Sequence, residues 1–339
     1  MMIRIWLPLF ALSIAAPLSA QEAADNGIDA ETILALKGLQ LLDQRMNTIG
    51  FRLISANAAY CDEQTASSGL LLNDVAQYAD QDTARFALGF DGSIGITAVA
   101  PDSPAARAEL SPGNSLLAIN DIAIEDIVAD ESQSSLQPPA YRRIDTINRM
   151  LRQQLATGAI ELTIAEGGVN RTVALTPVQT CPGQFQVRVS ADRSATADGK
   201  LVSVSSRLAE YFLSDDEFAA VVAHELAHNL LKHRDRLDAQ QVNRGFLGQL
   251  GKSAGRIRET EIEADRLSVW LMANAGYDPQ AAITFWTRYG KEHGKGIFSA
   301  STHYRWKKRV QLFEEEIAKM DAMETVDGKY APPLLSGPD

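Results

Sequence analysis

Apolar and polar positions alternate in two different registers along the chain. From Asp29 to Thr48, Ile33, Leu36, Leu39, Leu42 and Met46 recur at helical spacing and predict a helix closed by Gly50. A second helix is expected over Leu70–Tyr78. From Leu88 the period shortens to two. Ile94–Ala100 predicts a strand, and Ser103-Pro104 the cap and first position of a short helix. Pro112-Gly113 predicts a turn, Leu116–Ile119 a strand, and Asn120-Asp121 a second turn. A polar, acidic loop follows over Glu125–Pro139. Tyr141–Leu155 then predicts a helix with Ile144, Ile147 and Leu151 on one face, and the hairpin after it turns at Gly167-Gly168. Gly199–Leu208 reads as a turn, a strand and the start of a helix. Ser214, with Glu217 three residues on, has the pattern of a capping box. It opens a helix expected to run to about His233. That helix is apolar on nearly all faces, which places it centrally in the fold. Runs of strands separated from runs of helices make this an α+β chain.

Composition narrows the function classes. A chain of 339 residues with 45% hydrophobic content is long enough for about two domains with sizeable cores. The net charge of -11 is spread along the sequence and leaves no basic footprint for nucleic acid. At the N-terminus Arg4 precedes an apolar run from Ile5 to Ala16, and small residues follow at Ser19-Ala20. This pattern predicts a secretory signal peptide cut after Ala20, because the run falls short of the ~20 residues a spanning helix needs. Residue 21 is Gln, not the Cys of a lipid anchor, and no later segment is apolar enough to span. The mature chain is expected to be soluble and exported. In an oxidising compartment the two cysteines, Cys61 and Cys181, are expected to form a disulfide.

The chemistry concentrates on two helices. In VVAHELAHNLLKH, His224 and His228 are four residues apart and share a helical face, so both rings can meet one divalent ion. Glu225 stands beside that ion as a general base. This is the H-E-x-x-H zinc-peptidase pattern. His233 lies past the metal face and is expected to cap the helix end. A catalytic zinc needs a third protein ligand. His293 and His303 are available, but the better candidate lies in RETEIEADR, where Glu261 and Asp265 again share a face. In the gluzincin arrangement a ligand Glu is followed four residues later by an Asp that fixes a ligand histidine. Glu261 is therefore assigned to zinc and Asp265 to support, with Glu263 in a surface or structural contact. The stretch between these helices, with Gly245, Gly248, Gly251 and Gly255, reads as a cover over the cleft, a close-packed helix, or a linker.

HELAH, ETEIEADR and STHYRWKKR (Ser301–Arg309), in that order, resemble the HtpX and CAAX-prenyl-endopeptidase family, peptidase family forty-eight of the metallopeptidases, in its soluble periplasmic branch. The likeness covers about residues 185–320. It implies a mainly helical, zincin-like (gluzincin) domain with a small sheet, one Zn2+, and Leu201–Ser205 as the edge strand that binds substrate main chain. It also implies catalytic roles for Glu225, His303 and Arg309, although Tyr304 replaces the family's usual Pro. Residues 86–177 resemble a PDZ domain through Pro101, Ser103-Pro104-Ala105-Ala106, Pro112-Gly113 and Leu117-Ala118-Ile119-Asn120. Glu109 stands where that family usually has Gly, and Asn114 where it has an acid. A PDZ-like β-sandwich implies a C-terminal peptide ligand. Its carboxylate loop is either Ala87–Phe90 or the stretch around Gly95. The expected domains are 1–20, signal peptide; 21–85, a helical segment packing on the catalytic domain; 86–177, PDZ-like; 178–325, catalytic; and 326–339, tail. The bridge between Cys61 and Cys181 then clamps the ends of an insertion. The expected activity is endoproteolysis of protein or peptide substrates by an exported enzyme. The alternative is a periplasmic chaperone or adaptor whose zinc site is latent.

Overall fold

The computed structural model describes residues 29–129, 138–242, 251–293 and 306–335. The expected signal peptide and its cleavage site lie outside the described residues. In chain order the elements are α1 (Ala30–Ala56), β1 (Thr65–Ser67), β2 (Leu70–Asp74), α2 (Gln81–Leu88), β3 (Ile94–Val99), α3 (Pro104–Arg107), β4 (Ser115–Ile119), β5 (Ile122–Ala123), α4 (Pro139–Ala156), β6 (Ile160–Glu166), β7 (Val169–Leu175), β8 (Val178–Thr180), β9 (Gln184–Arg188), β10 (Ala195–Ala197), β11 (Leu201–Ser205), α5 (Ser206–Ala209), α6 (Asp215–Leu230), α7 (His233–Ala239), α8 (Gly251–Asn274), α9 (Gln280–His293) and α10 (Trp306–Met320).

Helix α1 starts where expected, with the Asp29 carboxylate accepting from the Thr32 N–H. It does not close at Gly50. A Cβ there would lie 2.3 Å from the Phe185 ring, so Gly50 is a notch that lets the ring against the helix backbone. On either side of the notch, Met46, Ile49, Leu53 and Ile54 join one core with α6 and α8.

The chain then leaves that core. Strands β2-β3-β4-β6-β7 form an antiparallel sheet, with β5 on β4. Helix α4 lays Ile144, Ile147, Leu151 and Leu155 on this sheet, and β3 is buried at every position. The helix expected over Leu70–Tyr78 is instead strand β2 followed by a short 3-10 turn. Leucine favours helix only weakly, and pairing with the buried β3 overrides it. Gly69 at φ +78° and the Asp74 side chain, which caps the turn, set the strand's limits. The sheet unit thus begins at Leu70, not at residue 86. Glu109 has φ +56°, a left-handed backbone conformation that favours glycine.

The chain returns at β8, which pairs with β1. Nearby, Cys61 and Cys181 are bonded, with Cα atoms 5.5 Å apart and a sequence separation of 120. The bridge ties the exit from the first core to the re-entry. In the chain-entropy account a loop of this length gives about 4–5 kcal/mol.

The second sheet has the order β10-β11-β9, with β11 parallel to β9 and antiparallel to β10. Leu201–Ser205 is therefore the central strand and not an edge. Val202 and Val204 are fully buried, which suits a strand paired on both sides. The free edge next to the zinc-motif helix belongs to β10, which packs against α6.

Candidate metal centre

Helix α6 is built to be buried. The Ser214 hydroxyl accepts from the Glu217 N–H at 3.2 Å, and three acidic residues crowd the positive first turn. Glu217 does not close the expected box onto Ser214. Its carboxylate accepts from the Leu213 N–H at 2.9 Å and from Arg288. Phe218, Val222, Leu226 and Ala227 are fully buried, which fixes the rotation of the helix.

That rotation sets His224 and His228 side by side, with their Nε2 atoms 3.2 Å apart. Helix α8 packs on α6 and brings Glu261 to both rings. Its carboxylate oxygens lie 3.6 Å from His224 Nε2 and 3.5 Å from His228 Nε2. Ligands at 2.0–2.1 Å around a tetrahedral zinc are separated by roughly 3.3–3.4 Å. The two imidazole nitrogens already stand at about that separation, with Oε2 of Glu261 near His224 and Oε1 near His228, and one donor atom from each of the three residues lies within 4.8 Å of the others. Glu225, the next residue on α6, is half-buried beside them.

Behind His224, the fully buried Asp265 accepts from Nδ1 at 2.8 Å. Arg309 pairs with the same carboxylate, its Nε 2.8 Å from Oδ2, and its guanidinium lies 3.5 Å from the Trp286 ring centroid. Burial alone would raise the Asp265 carboxyl, but Arg309 and His224 outweigh it and hold it below its ordinary value. Burial likewise pulls His224 down, yet the charge and hydrogen bond of Asp265 raise it to about 9. His228 goes the other way. Burial and the neighbouring His224 push it down to about 3. Without metal, the site thus carries one proton that a cation must displace.

The remaining expectations divide. The resemblance places Arg309 among the catalytic groups, but its contacts with Asp265 and His224 lie on the Nδ1 side of that ring, away from the Nε2 atoms that face Glu261. That is a supporting position. His303 lies outside the described residues. His293 is exposed at the end of α9, 3.0 Å from Arg193, and is not in the donor cluster. His233 is not a helix cap. Helix α6 ends at Leu230, Lys232 takes φ +53°, and His233 opens α7, 2% exposed. Its Nδ1 lies 2.9 Å from His228 Nδ1, and its Nε2 lies 2.9 Å from Glu263, which Arg236 also holds. The sequence signal for this is the spacing of His233 from His228. It can be read only with the helix break between them.

Two imidazoles and a carboxylate from two helices, with a glutamate beside the first histidine, fit the H-E-x-x-H plus Glu donor pattern that suits zinc. Residues 182–251 and 245–317 match the model of peptidase family M48. The chain is 34% identical to the mitochondrial metalloendopeptidase OMA1 of Schizosaccharomyces pombe, over 30% of this chain and 36% of that one. It is 32% identical to the mitochondrial metalloendopeptidase OMA1 of Arabidopsis thaliana, over 37% of this chain and 28% of that one. A Vibrio cholerae protein, provisionally named a beta-barrel assembly-enhancing protease, is 30% identical over 28% of this chain and 25% of its own. The chain thus spans about a third or less of the length of these relatives.

Proposed function

We propose that this chain is an exported zinc-dependent endopeptidase that cleaves extended or unfolded protein segments in envelope protein quality control. The observation that carries the reading is the donor cluster of His224, His228 and Glu261, whose donor atoms lie within 4.8 Å of one another. These three residues hold the metal. A zinc ion bound there would polarise a scissile carbonyl and lower the pKa of a water to about 7. Asp265 holds the His224 ring so that Nε2 faces the cluster. Glu225 accepts the water's proton and passes it to the leaving amine. An extended substrate adds to the free edge of β10, in place of the buried β11.

The compartment follows from the disulfide, which suits an oxidising environment, and from the signal-like N-terminus. The name of the Vibrio relative is in keeping with an envelope role. No helix among the described residues is long and apolar enough to cross a membrane.

The sheet unit is the PDZ-like part of this reading, where substrate is selected or its entry gated. Strand β3 has neighbours on both sides, so the stretch around Gly95 offers no vacant edge. Ala87–Phe90 forms the end of α2 and the residues after it. Among the described residues the sheet's edge strands are β2 and β7, and the edge of β2 is the one this reading uses. Beside it a cavity of about 510 Å³ is lined by Ser68, Gly69 and Leu71 with Ile144 and Asn148 of α4, and by Asp43 of α1 and Gln186 of β9 from the other core. A peptide strand fits the chemistry of that groove.

The test is cleavage of an unfolded protein by purified wild type and by Glu225→Gln, each with and without a chelator. Cleavage by the wild type alone, lost on chelation and restored by zinc, is expected. Loss of kcat by a factor of about 10² or more is expected for Glu225→Gln. Equal cleavage by both forms would defeat the enzyme reading, and binding without cleavage in every arm would favour the latent-site chaperone.

A further inference from the structure

We infer that His233, Glu263 and Arg236 form a relay that fixes the tautomer and orientation of His228. The inference rests on the zinc reading of the site and adds residues that the zinc-binding pattern itself does not contain. A helix that continued through Lys232 would place His233 five residues after His228, about 140° around the axis and out of reach. The left-handed residue Lys232 breaks the helix, and α7 brings the imidazole back to His228. A non-glycine residue at φ +53° is uncommon. Here the unusual backbone coincides with a buried imidazole placed against a donor histidine.

The protons along the chain can be assigned one after another. His228 Nε2 faces His224 Nε2 and Glu261, so it must keep its lone pair to bind a metal. The ring's single proton is then on Nδ1. At 2.9 Å from His233 Nδ1, that N–H donates and His233 accepts. The proton of His233 is then on Nε2, where it donates to Glu263 at 2.9 Å. Arg236 holds the Glu263 carboxylate with Nη1 2.6 Å and Nη2 3.2 Å away. Reversing the direction would put a proton on His228 Nε2 and block the donor. His233 is thus a positioning residue, acting on the metal through His228.

Groups one step behind a metal-bound histidine commonly change affinity by 10- to 100-fold. The test is zinc affinity by chelator competition on the full-length protein, with kcat and KM measured alongside. His233→Leu should lower zinc affinity by about 10- to 100-fold. It should leave KM unchanged and restore kcat when zinc is in excess. His233→Gln can still accept from His228 and donate to Glu263, so it should recover most of the lost affinity. A purely structural role for His233 would not give that order. If His233→Leu fails to fold, Glu263→Met removes the far acceptor at a partly exposed position and should weaken zinc binding several-fold. Zinc affinity equal to wild type in the folded variants, or a Gln variant no better than Leu, would overturn the relay and leave the zinc site standing. A wild-type protein that binds no zinc would instead overturn the functional reading.

Discussion

The two donor histidines are backed in different ways, although each is backed by an acid and an arginine. Behind His224 the Asp265–Arg309 pair is dry, with side chains 0% and 6% exposed, and touches the imidazole directly. Behind His228 the Glu263–Arg236 pair is 28% and 45% exposed and acts through a second imidazole. Both carboxyls are held below their ordinary values against the pull of burial, by their arginine and their histidine. The rings they support end in opposite states. A buried anion in direct contact charges His224 against the pull of burial, whereas burial and the charge on His224 keep His228 neutral. Glu261 lies equally close to both rings, so it is Asp265 against His224, and the resulting charge beside His228, that puts the proton on His224.

The largest expected effect separates the two rings by pH. His224 holds its proton up to about 9 in the metal-free protein, while His228 and His233 are already neutral well above about 3 and 4. Zinc must therefore displace one proton. Its affinity should fall about tenfold per pH unit from 9 down to the onset of unfolding. Competition titrations between pH 6 and 9 measure that slope. A flat profile would show that Asp265 does not charge His224.

Next is the cost of removing each arginine. Arg309→Met leaves Asp265 buried without its arginine and should cost about 3–5 kcal/mol. Arg236→Met, at the wetter pair, should cost no more than about 1 kcal/mol. Denaturant unfolding of the zinc-free proteins compares them. Equal costs would mean that the two pairs are not as differently solvated as the structure has them.

Asp43 extends the comparison to a buried carboxyl that, among the described residues, has no arginine paired with it. Its hydrogen bond is a long one, 3.4 Å from the Val187 N–H, and burial raises it to about 7. With the folded value above the unfolded 3.8, its favourable contribution is complete below pH 3.8 and is lost as pH rises through 7. Asp43→Asn should therefore stabilise the protein at pH 8 by about 2–4 kcal/mol and change little at pH 4. Thermal unfolding at the two pH values tests this. Equal shifts at both would contradict the assignment.

The sequence is most legible where spacing alone determines a contact. His224, His228, Glu261 and Asp265 each follow an i,i+4 rule on a long helix, and each lies where that rule puts it. Legibility fails where tertiary pairing or backbone breaks decide the outcome. The leucines of β2 carry a helical pattern and form a strand because β3 needs a partner. Gly50 reads as a stop and is a packing notch for Phe185. The family resemblance implied that β11 is an edge, whereas β10, only three residues long and with little pattern of its own, pairs with its outer side. His233 reads as a cap because a continuous helix would carry it away from the metal face, and a single left-handed residue, Lys232, reverses that.

The proposed catalysis depends on one metal ion held by His224, His228 and Glu261. An anomalous-difference map from zinc-loaded crystals tests this directly. It should show a single peak about 2.0–2.2 Å from both Nε2 atoms and from a Glu261 oxygen. A map with no peak among these three side chains, or with its strongest peak elsewhere in the molecule, would contradict it.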